Sequence, residues 1–78
     1  MNFGKVFKNA RESLGLNQRT LAARLGITPV ALWKIESGKA RPRWGTMVKF
    51  LKEADLSWAE LFIGAMERGD FQPLKKEE

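Results

Sequence analysis

The sequence contains neither cysteine nor histidine. Their absence excludes disulfides, thiolate chemistry, the common zinc sites and acid–base catalysis by an imidazole. No paired carboxylates, nucleophile–base set or phosphate-binding loop stands out either, so an enzyme is the least favoured class of function. We therefore expect no catalytic residues, no metal and no cofactor.

Long apolar stretches are missing as well. No run approaches the roughly 18 residues needed to cross a bilayer, and the sequence MNFGKVFKNAR at the start lacks the long apolar block of a signal peptide. The sequence therefore predicts a cytoplasmic protein with no membrane partner. With 78 residues, we expect one domain with a compact core.

Negative charge is scarce in the first part of the chain. Residues 1–54 hold eleven lysines and arginines against three carboxylates, a net charge of +8, whereas residues 55–78 hold three against six, a net charge of −3. A basic body with an acidic end favours a polyanionic partner for the basic part. On charge alone, an ordinary solvated surface is the favoured interpretation.

Apolar spacing and residues typical of helix ends predict helices and no strands. The buried face predicted for the first helix comprises Phe3, Val6, Phe7, Ala10 and Leu14. Asn17 is a suitable N-cap for a second helix, and Gly26 is suited to end it. Thr28 can cap a third helix over residues 29–37, because Pro29 at the first position has no N–H that would need a partner. Only three residues then separate the second helix from the third.

Two more helices follow. The fourth is predicted over residues 44–54, and its buried side comprises Trp44, Met47, Phe50, Leu51 and Ala54. Ser57 and Glu60 have the spacing of a capping box for the fifth helix, which we expect to continue past Gly64 toward Arg68. Its apolar stripe comprises Trp58, Leu61, Phe62, Ala65 and Met66. The predicted organisation is one domain over residues 1–68, followed by a tail over residues 69–78.

The segment from Gln18 to Ser37 has the spacing of a helix-turn-helix. Ala22, Gly26 and Leu32 stand at its fifth, ninth and fifteenth positions, where helix approach, a turn and a core contact are needed. With the motifs GLNQRTLAARLGIT, WKIESGK and RPRW, the chain resembles the Cro and phage-repressor family, often called XRE-like, over residues 3–62. The resemblance implies an all-α, five-helix lambda-repressor-like DNA-binding domain.

The outward side of the third helix is the candidate base-reading surface. At 100° per residue, the core side holds Thr28, Ala31, Leu32 and Ile35, and the outward side holds Pro29, Val30, Trp33, Lys34 and Ser37. In the family the outward side enters the major groove. The resemblance thus gives as base-reading candidates Thr28, Pro29, Val30, Trp33 and Lys34.

The residue types on this side predict a particular kind of site. Val30, with Pro29 or Trp33, suits thymine methyl groups, and Lys34 suits O6 or N7 of guanine. We therefore expect thymines beside a guanine. For Trp33, packing on a neighbouring helix or on a partner subunit stays open as the alternative.

Backbone contacts are implied by position in the family. The candidates are Asn17, Gln18, Ser37, Lys39, Arg41 and Arg43. Asn17 and Gln18 open the second helix, where amide hydrogens and the helix dipole favour a phosphate. Arg43 matches an arginine that can enter a narrow minor groove. It also precedes the fourth helix, where a cation is unfavourable, and this local conflict favours a functional role.

The resemblance further implies an internal ion pair and a partner subunit. Arg11 and Glu36 occupy the positions where the family joins its first and third helices, and we interpret both as structural. Related proteins bind as two-fold dimers to half-sites about 34 Å apart. Surplus apolar side chains near the C-terminal end make the predicted dimer contact, which comprises Trp58, Phe62, Met66 and Phe71.

The leading functional hypothesis is a homodimeric, sequence-specific transcription regulator, favoured as a repressor, which binds double-stranded DNA at a palindromic operator. The alternative is a protein-interaction module, such as an antitoxin-type protein that holds its partner through the C-terminal tail. Basic charge concentrated over residues 34–43 favours DNA.

Overall fold

The computed structural model describes residues 3–66, which form five helices and no strand. The helices are α1 (Phe3–Ser13), α2 (Gln18–Leu25), α3 (Pro29–Glu36), α4 (Trp44–Ala54) and α5 (Trp58–Ala65). The predicted all-α, five-helix class is confirmed, and α3 ends one residue before the predicted end. The predicted continuation of α5 toward Arg68, the tail and Phe71 lie outside the described residues.

The predicted N-caps hold the helix starts in place. The Asn17 side chain accepts a hydrogen bond from the Thr20 amide at 2.8 Å, and the Thr28 hydroxyl accepts one from the Ala31 amide at 3.0 Å. Ser57 and Glu60 form both hydrogen bonds of a capping box. Each bond satisfies an amide that the helix itself leaves without an acceptor, so these starts are set by residues adjacent in sequence.

The core lies where α1, α2, α3, α4 and α5 converge. Phe7 of α1 and Phe50 of α4 are fully buried and stack with ring centroids 3.8 Å apart. Around them lie the other large, fully buried side chains, Leu21, Leu25, Leu32 and Leu61. Burial of one such side chain stabilises the fold by about 1.5–3 kcal/mol, so this cluster fixes how α3 is presented.

Two side chains predicted to face the core do not. Leu14 is 44% exposed because α1 ends at Ser13 and the chain turns away at Gly15, which has a positive φ. Trp44 is 70% exposed: it begins α4 and stacks on Trp58 instead, with ring centroids 4.6 Å apart. The helical spacing was right, but both positions lie at helix ends beyond the edge of the core.

A close approach joins α1 to α3. A Cβ atom placed on Gly4 would overlap the Ile35 carbonyl oxygen and would come within 2.7 Å of the Glu36 carbonyl oxygen. Gly4 is itself buried, and α1 packs directly against α3. The missing side chain therefore lets α1 support the C-terminal end of α3.

The turn between α2 and α3 depends on Gly26. Its φ of 72° lies in the left-handed region that favours glycine, and its amide bonds back to the last turn of α2. The Ile27 amide donates to the Ala22 carbonyl at 3.0 Å, which closes the turn. None of the five helices within residues 3–66 has the length and apolarity needed to span a membrane.

Candidate nucleic-acid interface

One side of α3 is a solvent-exposed ridge. Leu32 and Ile35 are buried beneath it, whereas Val30 is 62% exposed and Trp33 is 46% exposed. Pro29 and Lys34 are exposed on the same side. The structure therefore presents outward the side chains that the 100° spacing placed there, together at the N-terminal and middle parts of α3.

A groove of about 250 Å³ borders the ridge on the side of α1 and α2. Its lining residues are Lys8, Arg11, Gln18, Trp33, Glu36 and Ser37. Two cations thus face one carboxylate. Since Glu36 is already paired with Arg11, the groove has positive charge available from Lys8.

A second groove, of about 180 Å³, borders the ridge on the side of α4. It is lined by Ile27, Ala31, Lys34, Ile35, Ala40, Arg41, Arg43 and Thr46. Three of these residues are cations and none is acidic, while the floor is apolar. An anion that also carries an apolar part, such as a sugar-phosphate chain, suits this lining.

The Glu36 carboxylate, in the first groove, links α3 to α1 and α2 by hydrogen bonds. Its oxygens accept hydrogen bonds from Arg11 Nε at 2.8 Å, from a second Arg11 nitrogen at 3.1 Å and from the Gln18 amide nitrogen at 3.0 Å. Arg11 also donates to the Leu16 carbonyl at 3.1 Å. The side chains are only 13% exposed for Arg11 and 4% for Glu36, so the predicted partners meet in a nearly dry contact.

The pairing has an electrostatic effect on Arg11. Hydrogen bonding to Glu36, with a smaller attraction from its charge, raises the pKa of Arg11 despite the opposing effect of burial. The guanidinium is therefore held in its charged form. Its charge is committed to Glu36 and is not offered to a ligand.

The predicted backbone-contact residues line both sides of the ridge. Gln18 and Ser37 lie in the first groove, and Arg41 and Arg43 lie in the second. The Lys39 ammonium lies over the Trp33 ring, 5.9 Å from its centroid. Asn17, Lys39, Arg41 and Arg43 are all exposed.

Arg43 occupies the N-cap of α4 with an extended backbone and makes no side-chain cap hydrogen bond. A serine or aspartate there would normally stabilise the helix by about 1 kcal/mol. The local conflict inferred from sequence is therefore present. It leaves an exposed guanidinium beside the second groove.

Two features were missed from the sequence. Lys8 lines the first groove although it lies on α1, and Trp44 belongs to an exposed aromatic surface and not to the core. Lys8 precedes Arg11 by three residues, so a helical wheel that included the ion pair would have placed both on one side. Nothing in the local sequence identifies Trp44 as exposed.

The exposed aromatic surface continues from α4 onto α5. Trp44 stacks on Trp58, Trp58 stacks on Phe62 with centroids 6.3 Å apart, and Phe62 meets Phe3 edge-on at 5.9 Å. Phe62, Ile63 and Met66 are all exposed beside it. The predicted dimer residues within the described range therefore border one another on the surface, and Trp44 joins them.

Among residues 3–66, no three acidic side chains gather closely enough to hold a metal ion. The described surface offers instead exposed cations on both sides of an apolar ridge. Exposed cations beside an apolar ridge are residue types that are also found on nucleic-acid-binding surfaces.

Comparisons with known proteins agree with this geometry. A family model described as helix-turn-helix matches residues 7–61. Over 59 residues the chain is 39% identical to the HTH-type transcriptional regulator PuuR of Escherichia coli (strain K12), and equally to that of Shigella flexneri. The alignment covers 76% of this chain but only 32% of either regulator, so the chain spans about a third of their length.

A solved structure shares the fold. The clp gene regulator ClgR from C. glutamicum superposes with a TM-score of 0.79 at 21% identity, covering 91% of this chain and 92% of that one. The family match spans α2, α3 and the turn between them, together with the core residues that support α3. The chain belongs to the helix-turn-helix family, of the Cro and phage-repressor type inferred from its motifs.

Proposed function

We propose that this domain is a DNA-binding transcription regulator that acts as a homodimeric repressor at a palindromic operator. The observation that carries the proposal is the position of the α3 ridge between two cation-lined grooves. An α-helix with its side chains is about 10–12 Å across, and the DNA major groove is about 12 Å wide. When α3 enters the major groove, each flanking groove faces one sugar-phosphate strand.

The ridge supplies the base-reading side chains. Val30 and Pro29, at the N-terminal end of α3, are placed to contact thymine methyl groups, and Lys34 is placed to donate to guanine O6 or N7. The Thr28 hydroxyl caps α3, and its remaining donor can reach a base or a phosphate. The preferred half-site therefore combines thymines with a guanine.

The two flanks fix the register on the DNA backbone. Gln18 and Ser37 in the first groove, with the neighbouring Asn17, serve one strand, while Arg41 and Arg43 in the second groove serve the other. The Ser37 hydroxyl donates to the Lys34 carbonyl at 3.2 Å and would turn from it to a phosphate. Asn17 uses its oxygen to cap α2 and keeps its amide nitrogen for a phosphate. Gln18 uses one amide hydrogen on Glu36 and keeps the second. The Arg11–Glu36 pair thus positions Gln18 and does not itself bind DNA.

The aromatic surface on α5 is the proposed dimer contact. Trp58 stacks on both Trp44 and Phe62, and the exposed apolar side chains here are Trp44, Phe62, Ile63 and Met66. Contiguous exposed apolar side chains often mark a surface that binds another protein. A two-fold contact there would give a dimer whose two α3 helices bind half-sites one turn of the DNA helix apart. The antitoxin-type alternative would use the same rings for a different protein.

Selection from a random pool of duplexes tests DNA recognition directly. We expect the protein to enrich an inverted repeat whose half-sites are about 10 base pairs apart, each with thymines beside a guanine. Lys34→Met should relax the preference for guanine at one position, a loss of about 1–3 kcal/mol of discrimination. The matched control is Lys52→Met on α4, which removes the same charge from an exposed site outside both grooves.

The outcomes separate the parts of the proposal. A single half-site without a repeat would contradict the dimer and leave recognition by α3 in place. Failure of the wild-type protein to enrich any sequence over a scrambled competitor would overturn sequence-specific binding altogether. An equal effect of Lys34→Met and Lys52→Met would remove Lys34 from the base-reading surface.

A further inference from the structure

Trp33 is the member of the α3 ridge whose surroundings differ most from those of a base reader. Its ring forms one wall of the groove toward α1 and α2, together with Lys8 and Gln18. The Lys39 ammonium stands over the same ring, 5.9 Å from its centroid, within the distance at which a cation is attracted to an indole. The indole thus lies among cations at the side of the ridge.

Local backbone geometry brings Lys39 back toward α3. Gly38 has a φ of 83°, and the amides of Lys39 and Ala40 both donate to the Lys34 carbonyl, at 2.8 and 3.1 Å. The chain therefore reverses immediately after α3. A lysine at this position would otherwise extend freely into solvent, and the indole face gives it a preferred location.

We propose that Trp33 is a positioning residue for a DNA phosphate: its indole holds the Lys39 ammonium beside the first groove, in which Lys8 of α1 supplies a second cation for the same strand. The inference rests on the proposed DNA-binding function and deepens it. It gives Lys8 a role in backbone binding, and it assigns Trp33 to the backbone and not to a base.

The charges of the groove support a phosphate as the occupant. The only carboxylate among its lining residues is Glu36, which already accepts three hydrogen bonds from Arg11 and Gln18. Two exposed lysines lie on this side of the domain: Lys8 belongs to α1, and Lys39 follows α3. Within the lining of this groove, a phosphate therefore meets cations and no free carboxylate. Glu12, four residues after Lys8 on α1, is exposed but is not a lining residue.

Phosphate contacts do not depend on base sequence, so a short mixed-sequence duplex is a sufficient probe. Affinity is measured as a function of salt for the wild type and for Lys8→Ala, Lys39→Ala, Trp33→Ala, Trp33→Leu and Trp33→Phe. Loss of one phosphate contact lowers the slope of log affinity against log salt by about 1, which we expect for Lys8→Ala and Lys39→Ala. Lys52→Ala is the charge-matched control and should leave the slope unchanged.

The tryptophan series separates positioning from bulk. Trp33→Ala and Trp33→Leu should weaken binding about two- to fivefold, because a cation–π contact at an exposed site is worth only that much, and should lower the slope toward the Lys39→Ala value. Trp33→Phe, which retains a π face, should restore most of both. In the double variant Trp33→Ala with Lys39→Ala, binding should be no weaker than with Lys39→Ala alone.

Melting temperatures of the lysine variants should stay close to that of the wild type, since Lys8 and Lys39 are exposed. Those of the Trp33 variants should fall by less than about 8 °C, because the cation–π contact is worth under about 1 kcal/mol. Additive losses in the double variant would overturn the positioning role, as would a Trp33→Ala slope equal to that of the wild type. If the wild type binds the duplex with a steep salt dependence while Trp33→Ala changes only base preference, the inference fails and DNA binding stands. If the wild type does not bind any duplex, both fail.

Discussion

Glu36 links α1 and α2 to α3, which carries the exposed ridge. Its carboxylate receives two hydrogen bonds from Arg11 on α1 and one from Gln18, the first residue of α2. One partly buried carboxylate thereby joins the three helices that border the first groove. The contact is largely shielded from water, so removal of either partner would leave the other charge uncompensated. An uncompensated charge at a shielded site destabilises the folded protein.

Replacement of Glu36 by glutamine should therefore destabilise the protein. Arg11 would keep its charge while losing the carboxylate, and we expect a loss of about 3 kcal/mol in the free energy of unfolding, which corresponds to a fall of more than about 10 °C in Tm. Glu53→Gln is the control: the Arg24–Glu53 pair is 3.5 Å long with side chains 49% and 35% exposed, so it should cost under about 1 kcal/mol. Equal melting of Glu36→Gln and wild type would show that the pair contributes nothing.

Local chemistry explains which residues could be placed from sequence. Asn17, Thr28 and Ser57 cap helices through bonds to amides three residues away, so each is recognisable from its neighbours alone. The exposure of Trp44 could not be recognised in this way. Its position fits the apolar stripe of α4, and only the arrangement of α5 shows that its partner is Trp58.

The contact between α1 and α3 could not be predicted from the sequence either, although both helices could. Periodicity predicted both helices correctly, but it assigned no role to Gly4 near the start of α1. In the structure, the backbone of α3 occupies the space that a side chain at position 4 would need, so glycine allows the two helices to approach closely. Spacing along one helix cannot reveal how closely another helix approaches.

Two glycine-to-alanine variants test this contact. Alanine favours a helix over glycine by about 1 kcal/mol, so Gly45→Ala in the first turn of α4, where an added Cβ meets nothing within 4 Å, should stabilise the protein by up to that amount. Gly4→Ala should destabilise it by about 1–3 kcal/mol, since the Ile35 and Glu36 carbonyls must move.

Urea unfolding measures both changes in the free energy of unfolding, provided that the variants share the wild-type dependence of that free energy on urea concentration. Because the Gly4 clash falls on the last turn of α3, Gly4→Ala should also weaken DNA binding even where the protein remains folded. A stabilised Gly4→Ala variant would mean that α1 moves away from α3 without cost, and would remove the close approach as a structural requirement.

For the molecule as a whole, the sequence predicted the ridge and several residues beside it, but not the two grooves in which those residues lie. The outward side of α3 follows from 100° spacing alone, and the helix-turn-helix spacing identifies which helix carries it. The two grooves arise where α3 meets α1 on one side and α4 on the other, so Lys8 could not be assigned before those contacts were known. Long-range packing, and not local propensity, completes the interface.

In the proposed dimer, the exposed side of α5 would bring two such interfaces together. Ile63 follows Phe62 in α5 and is 49% exposed, so its side chain lies outside the core. Ile63→Glu should therefore leave the fold intact while placing a charge in the proposed dimer contact, where an unpaired buried charge costs several kcal/mol. Leu14→Glu is the matched control, because Leu14 is 44% exposed at the far end of α1.

Sedimentation velocity should show a monomer for Ile63→Glu and a dimer for both the wild type and Leu14→Glu. On a palindromic duplex, the monomeric variant should lose the cooperative occupancy of two half-sites while retaining the salt dependence of a single domain, because the α3 ridge and its grooves are unchanged. A dimer that survives Ile63→Glu would exclude this side of α5 from the contact. The second subunit would then have to bind through another surface, and the spacing of half-sites would need a different geometry from the one proposed here.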